Sequence, residues 1–269
     1  MPGVILVLLG DPAAAPRLLA AAARLAEVTG GAAINALIVR SPPLASIIAS
    51  EEVLTKRREA LLRAEEQARA DSLSEIFRNW ASRENGRPHV SEVEASVTDA
   101  IVQRGPAADF VVIEQPVRRY DGTAWQAMLA ALFETDRPVL VVPPNPSPQF
   151  GRRIAVAWRD DDRTIRAVLA AMRCLGDVEQ LLVLAGQREG AARPAMPPIV
   201  VEHRVAAELL VLPVDGQAFG KALLGKAHEL RADMIVMGAY VHDPIRRLVL
   251  GGLTRYMLTN SDLPLLMRH

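Results

Sequence analysis

The stretch ADMIVMGAYVHDPIRRLVLGGLTRYMLTNSDLPLLM, from Ala232 to Met267, decides the fold because it contains a strand, a turn, a helix and a second strand in sequence. Its first apolar run ends at Gly238, and its last is led by Pro264. The pattern between them predicts a helix over about 244–259, with a glycine pair inside it. Glycines after a strand and at the start of a helix let backbone N–H groups approach a phosphate. The stretch therefore predicts a βαβ unit whose glycines belong to a phosphate site, to the remnant of one, or only to turns.

The same pattern occurs earlier in the chain. ADFVVI, which begins at Ala108, matches ADMIVM, which begins at Ala232, so the repeat is offset by 124 residues. The apolar strand that starts at Pro138 matches the strand that starts at Pro264, an offset of 126. Such close spacing over a whole strand–helix–strand unit indicates two copies of one structural plan.

Alternating strand and helix patterns run through both halves, which is typical of parallel sheets covered by helices. We predict an α/β fold of two tandem doubly wound, Rossmann-like domains, each with a five-stranded, mainly parallel sheet and helices on both faces. The N-terminal domain is placed at 1–148 and the C-terminal domain at 152–269. The Pro-rich segment 143–151 is the candidate linker.

The first half is longer than the second, and a charged helical insertion at about 50–84 accounts for the extra residues. Leu73, Phe77 and Trp80 contribute to a rough apolar stripe along it. One interpretation is a charged layer that covers the sheet. The other is a surface for a partner subunit, because an amphipathic helix with aromatic residues can pack against another chain.

Composition excludes several classes of protein. The 269-residue chain has 31 basic and 31 acidic residues, so it lacks the basic excess of a nucleic-acid-binding protein. The N-terminal apolar run is interrupted by Asp11 and Pro12, far short of the ~20 residues that a membrane helix needs. We therefore expect a cytoplasmic protein that contacts no membrane. The single cysteine, Cys174, fits a reducing compartment and a buried structural thiol.

The segments ADMIVMGAYVHDPIRRLVLGGLTRYMLTNSDLPLLM and AWRDDDRTIRAVLAAM resemble the signature regions of the universal stress proteins, and the duplication resembles their tandem form. The resemblance covers nearly the whole chain. It implies a stress-response regulatory or sensor module, a pairing of the two halves within the chain or a homodimer, and an adenine-nucleotide site. The ligand it implies is ATP, with Mg²⁺ only where ATP binds.

The nucleotide-binding members of that family carry Gly-x2-Gly-x9-Gly-[Ser/Thr] after the fourth strand. The matching positions here are Gly238, Val241, Gly251 and Gly252, so two of the four depart from the pattern. Val241 resists positive φ, and Gly252 lacks the hydroxyl donor. Thr254 is a candidate to compensate, and His242 and Arg246 offer positive charge nearby. The site residues that the resemblance implies are Trp158, Arg159, Asp160, Met237, Gly238, Ala239, Val241, Gly251, Gly252, Leu253 and Thr254.

Neither a catalytic set nor a metal-binding motif is evident. The acidic run Asp160-Asp161-Asp162 is interpreted as a helix N-terminal cap rather than as a metal site. The loop after the fourth strand of the first half contains Glu114 and Pro116 and has no glycine-rich pattern, which argues against a nucleotide site there.

Three functions stay open from the sequence. The first is a tandem universal stress protein with a weakened adenine-nucleotide site in its second half. The second is a module without nucleotide binding that acts through protein contacts. The third is a nucleotide hydrolase, for which no positioned base or metal set is apparent; the sequence therefore favours a protein that is not an enzyme.

Overall fold

The computed structural model describes residues 3–43, 55–84, 88–116, 122–172, 178–202, 206–214, 219–242 and 249–269. Cys174 and Arg246, for which the sequence suggested a structural and a charge role, lie outside these ranges. No helix within them is long and apolar enough to cross a bilayer.

The first half of the chain supplies five strands and four helices within the described ranges. They are β1 (Val4–Leu9), α1 (Ala15–Val28), β2 (Ala33–Arg40), α2 (Lys56–Ala81), β3 (His89–Glu94), α3 (Val97–Arg104), β4 (Phe110–Glu114), α4 (Gly122–Glu134) and β5 (Val139–Val142). The second half contains β6 (Arg153–Trp158), α5 (Asp162–Met172), β7 (Gln180–Gln187), α6 (Pro198–Glu202), β8 (Ala207–Pro213), α7 (Phe219–Glu229), β9 (Met234–Gly238), β10 (Val241–His242), β11 (Val249–Leu250), α8 (Gly252–Asn260) and β12 (Leu265–Arg268).

Ten strands form one sheet in the order β3-β2-β1-β4-β5-β12-β9-β6-β7-β8. Read from the centre outward, each half has the same strand order, and the predicted α/β doubly wound fold is confirmed. The two five-stranded sheets are not separate, however, because β5 pairs with β12 in antiparallel orientation, with Leu140 opposite Leu266. Both strands are apolar and buried, so their pairing removes two sheet edges that would otherwise be exposed.

The helices cover both faces of the sheet. Alternate strand residues point to opposite faces, and Ile5 and Val7 pack with α1, α2 and α5 on one face. Leu6 and Leu8 belong to the other face, which is covered by α3, α4, α7 and α8. Each of these two clusters contains residues from both halves of the chain, so the core is continuous across the β5–β12 junction.

Helix α2 is part of the covering layer. It begins after Thr55, whose hydroxyl accepts the N–H of Arg58, a cap that satisfies a free donor of the first turn. Leu73 and Phe77 are buried in the core, and the Phe77 and Trp80 rings are 5.7 Å apart. The interpretation as a layer over the sheet is confirmed. The aromatic residues proposed as a partner surface pack within the chain instead.

The connector between the halves is packed rather than free. Phe150 is 1% exposed, and its carbonyl accepts a 3.0 Å bond from Nε of Arg24 in α1. Gly151 has φ of 92°, and its N–H donates to Asp233 at 2.8 Å. The prediction of a linker was based on its prolines, which do not reveal that an aromatic side chain at its end enters the core.

The helix predicted over about 244–259 was wrong at 249–251, and its residues 244–248 lie outside the described ranges. Val249 and Leu250 form β11, which pairs with β10 in antiparallel orientation, and α8 begins only at Gly252. The apolar residues 248–250 fitted a helical period, but Gly251, with φ of −56° and ψ of 150°, is the extended residue that precedes the helix. Two glycines in succession disfavour a helix interior, which explains the late start.

Candidate functional site

A cavity of about 690 Å³ opens at the carboxyl ends of β6, β7 and β9. In a doubly wound sheet this is the switch point where ligands bind. Its interior is mostly apolar, with Trp158, Phe219, Leu223 and Met237 among its lining residues. A cavity of this size and lining fits a planar organic group.

The N-terminus of α8 forms one wall of the cavity. Gly251 is the N-cap of α8, and it has no side chain that could accept a first-turn N–H group of the helix. Gly251, Gly252 and Leu253 all line the cavity. The first N–H groups of a helix have no acceptor within the helix, and the helix dipole is positive at this end. This wall therefore presents donors and partial positive charge to an anion.

Most of the predicted site residues meet at this cavity. Those in its lining are Trp158, Arg159, Asp160, Met237, Gly251, Gly252, Leu253 and Thr254. Gly238 and Ala239 are buried behind it, at the end of β9. Thr254 is fully buried, and its hydroxyl accepts the N–H of Tyr240 at 3.1 Å, which ties α8 to the segment that follows β9.

Val241 does not adopt the positive φ that the family pattern predicts at its position. It lies in β10 opposite Leu250, where the backbone is extended. Among the described residues, the non-glycines with positive φ are Asp136 and Arg231.

Tyr240 is the main residue that sequence reasoning missed. Its hydroxyl donates to the carboxylate of Asp161 at 2.6 and 2.7 Å, so the Thr164 hydroxyl, 2.6 Å away, donates to it. Burial, together with the hydrogen bond to Asp161, raises the pKa of Tyr240 above its ordinary value. The Arg159 guanidinium lies 5.0 Å from the centre of the ring. No local pattern joins these residues, because Tyr240 and Asp161 are 79 positions apart.

Gly238 accommodates the ring of Tyr240. A Cβ at Gly238 would lie 2.8 Å from the Tyr240 hydroxyl oxygen and 2.9 Å from ring carbons, closer than such atoms approach. The backbone donors of this loop are also occupied: Ala239 N–H bonds the Arg268 carbonyl at 2.7 Å, and Gly251 N–H bonds the Tyr240 carbonyl at 2.8 Å. The absence of a side chain at Gly238 is therefore what lets the Tyr240 ring lie at this position.

The acidic run acts as a helix cap, as predicted. Oδ1 of Asp161 accepts the N–H of Thr164 at 3.0 Å, which satisfies a first-turn donor of α5. Asp161 also pairs with Arg159 at 3.1 Å. No cluster of three metal-ligating side chains occurs in the part of the chain that the structure describes.

Charge at the cavity comes mainly from exposed side chains at its rim. Arg159 and Arg188 are the described basic residues of the lining, and Asp160 is the described acidic one. They leave one net positive charge. Arg188 follows β7 and was not predicted, because it lies outside the motif that carries the resemblance.

The corresponding position in the first half is nearly filled. A pocket of about 230 Å³ lies at the ends of β1, β2 and β4, and Arg69 of α2 reaches into it. Its guanidinium donates to the carbonyls of Gly10 at 2.7 Å and Val39 at 2.6 Å, and pairs with Glu66 at 2.7 Å. No local sequence pattern indicates this contact.

Two carboxylates in this smaller pocket are shifted in opposite directions. Burial alone would raise the pKa of Glu66, but bonds from Arg69 and the Ser41 N–H outweigh it and lower that pKa. Burial raises the pKa of Glu114, and the nearby Arg17 only partly offsets it.

Two doubly wound halves joined through their edge strands, with a cavity at one switch point, define a tandem, doubly wound α/β fold. Neither a protein-family profile nor a curated protein matches the sequence. Among solved structures, the chain is similar to a universal stress protein from Archaeoglobus fulgidus, with a TM-score of 0.70 at 13% identity over 98% of this chain and 97% of that one. It is also similar to a functionally unknown protein from Pseudomonas aeruginosa, with a TM-score of 0.59 at 11% identity over 99% and 92% of the two chains. The chain has the universal stress protein fold in its tandem form.

Proposed function

We propose that this protein is a universal stress protein whose second half binds an adenine nucleotide and which works as a regulatory or sensor module. The observation that supports this most directly is the 690 Å³ cavity whose wall includes the uncapped N-terminus of α8. The base occupies the apolar interior beside Trp158, and a phosphate meets the first N–H groups of α8. Binding, not catalysis, is the proposed activity.

The decisive test places a carboxylate at the phosphate position. A Cβ at Gly252 meets no atom within 4 Å, so Gly252→Asp adds a side chain without a clash. An acidic residue in the first turn favours the helix, so the free protein keeps its stability. Nucleotide affinity is expected to fall about tenfold or more, because a carboxylate repels the phosphate at short range.

The matched control is Gly225→Asp. Gly225 is exposed on α7, and a Cβ there also meets nothing within 4 Å, but it lies outside the cavity lining. Thermal shift and titration calorimetry with AMP, ADP and ATP compare the two variants with the wild type, since a ligand that binds only the folded state raises its stability. Absence of any nucleotide response in the wild type would refute the proposal.

The second candidate function is a module that acts through protein contacts without nucleotide. The observation that favours it is the closed loop beside the cavity, in which Tyr240 covers Gly238 and the N–H groups of Ala239 and Gly251 bond to backbone carbonyls. On this alternative, neither the wild type nor Gly252→Asp responds to nucleotide, and the cavity is only a remnant of a binding site.

A further inference from the structure

The carboxyl end of α8 is held by a side chain from the other half of the chain. Gln115, which directly follows β4, donates from Nε2 to the carbonyls of Leu258 at 2.9 Å and Ser261 at 3.0 Å. All three residues are buried. Because both neighbours are carbonyl acceptors, the donor end of the Gln115 amide faces α8, and both of its hydrogens are used.

The carbonyls at this end of α8 depend on donors from outside the helix. The last four carbonyls of a helix have no partner in the helical ladder, and that of Leu258 is one of them. The backbone becomes extended at Ser261, where φ is −71° and ψ is 130°, so the helix ends there. A buried carbonyl without a donor is destabilising, and Gln115 supplies the donors for two.

The opposite end of α8 is the wall at which the phosphate is proposed to bind. Gly252 and Leu253 line the cavity, whereas Leu258 packs in the core at the other end. A helix of 9 residues is about 14 Å long and is marginally stable in isolation, so its position depends on such tertiary contacts. A shift at the carboxyl end therefore changes where the first N–H groups of α8 lie.

Gln115 is itself fixed to the sheet. Its N–H donates to the Val142 carbonyl at 2.9 Å, directly after the last residue pair of the β4–β5 ladder. β5 in turn pairs with β12, the strand that follows α8. The Gln115 amide is thus anchored at the junction of the two halves.

The equivalent residue of the second half cannot make this contact. The repeat offset of 124 residues places Ala239 at the position of Gln115, and its methyl group has no donor for the end of α4. The Ala239 carbonyl instead lies 3.0 Å from Nδ1 of His269. The side-chain amide therefore acts in one direction, from the half with the smaller pocket to the half with the larger cavity.

We propose that Gln115 is a positioning residue of the cavity: it holds the carboxyl end of α8 and so fixes the N–H groups at the other end, which meet the phosphate. This inference rests on the proposed function. It gives the first half a role in ligand binding that requires no nucleotide in its own pocket.

The test is Gln115→Met, which keeps the length of the side chain and removes both donors. AMP affinity is expected to fall about fivefold, whereas adenosine affinity stays within about twofold, because only the phosphate contacts α8. Titration calorimetry measures both affinities. In the free protein, hydrogen exchange of the α8 amides is expected to become about tenfold faster relative to those of α4.

Arg24→Met is the control for a general loss of stability. Nε of Arg24 donates to the Phe150 carbonyl at 3.0 Å, and Phe150 belongs to the core cluster on the face of the sheet opposite α8. This variant is expected to lower Tm without changing the ratio of AMP to adenosine affinity or the exchange of α8 relative to α4. If Gln115→Met does not fold, Gln115→Asn, which is one methylene shorter, takes its place in the same comparison.

Each outcome has a distinct meaning. Equal losses of AMP and adenosine affinity in Gln115→Met, or an unchanged AMP affinity, overturn the inference and leave the nucleotide proposal intact. Unchanged exchange of α8 also overturns it, whether or not a nucleotide binds. If the wild type binds neither AMP nor adenosine, the proposed function fails and the positioning role fails with it.

Discussion

The two halves of the chain share a strand order but treat the carboxyl ends of their strands differently. In the second half, β6, β7 and β9 end at an open cavity of about 690 Å³. In the first half, β1 and β2 end at carbonyls that bond Arg69 of α2, and only about 230 Å³ remains. The same fold thus leaves a large cavity at one switch point and a smaller pocket at the other, where the Arg69 side chain takes part of the space.

The repeat register locates the difference at single residues. Glu114 ends β4 where Gly238 ends β9, 124 positions later. Gly238 allows the ring of Tyr240 to approach, whereas Glu114 places a carboxylate beside Arg17. The repeated strands are alike, but the residues at their carboxyl ends differ. In doubly wound sheets, these ends are where ligands bind.

The largest loss of stability is expected from substituting an aspartate that both halves of the chain contain. Asp109 and Asp233 occupy the same place in the repeat and accept backbone N–H groups at the start of a strand. Asp233 accepts three, from Gly151, Arg152 and Arg153. Asp233→Ala leaves these donors without their acceptor and is expected to lower the free energy of unfolding by about 3 kcal/mol, as measured by urea denaturation.

Asp109→Ala is the counterpart in the first half, where the aspartate accepts the N–H of Val4 at 2.8 Å. Its expected cost is about 1 to 2 kcal/mol. No loss of stability in either variant would mean that these aspartates do not stabilise the strands whose N–H groups they accept.

The sequence predicted the features that depend on period and repetition. The offset of 124 residues and the alternation of strands and helices gave the fold, and the motif around Gly251 led to the cavity. It missed Tyr240 and Arg69, because their bonds join residues 30 to 79 positions apart that no local pattern connects. The positive φ expected at position 241 from the family pattern is absent, because Val241 pairs with Leu250 in the short β10–β11 ladder, which the sequence did not predict.

A smaller effect is expected from removing the side chain that closes the first half. Arg69→Met keeps most of the aliphatic stem but leaves the carbonyls of Gly10 and Val39 without their donor and Glu66 without its ion pair. The free energy of unfolding is expected to fall by about 2 kcal/mol. Arg63→Met on the same helix is the control, because Arg63 pairs with Glu59 in an exposed position, where such pairs contribute ~0 to 1 kcal/mol.

The same variant tests whether Arg69 alone separates the two halves in ligand binding. Arg69→Met combined with Gly252→Asp is compared with Gly252→Asp alone, so that any added nucleotide response comes from the first-half pocket. We expect no added response, because Glu114 still lines that pocket and repels phosphate. A larger thermal shift with AMP or ATP in the double variant than in Gly252→Asp alone would show that Arg69 is the sole barrier.

The smallest effect is expected in the pH dependence of folding stability, to which two glutamates of the first-half pocket contribute in opposite directions. Burial raises the pKa of Glu114 above its ordinary value of 4.5, so the folded state binds a proton more readily than the unfolded state. The contribution of Glu114 to stability therefore falls as pH rises from 4.5 through the raised pKa. Glu114→Gln is expected to be slightly more stable than the wild type at pH 7, by less than about 1 kcal/mol, and this advantage shrinks on acidification.

The contribution of Glu66 to stability changes with pH in the opposite direction. Its pKa is lowered because bonds from Arg69 and Ser41 outweigh burial, so its contribution is present above pH 4.5 and is lost as pH falls through the lowered pKa. Glu66→Gln is expected to be less stable than the wild type at pH 7, with a deficit that closes in acid. Urea denaturation of both variants from pH 3 to 8 measures the two slopes. Slopes of the same sign would mean that Arg69 does not hold Glu66 as an ion pair, and the closed state of the first half would then need another cause.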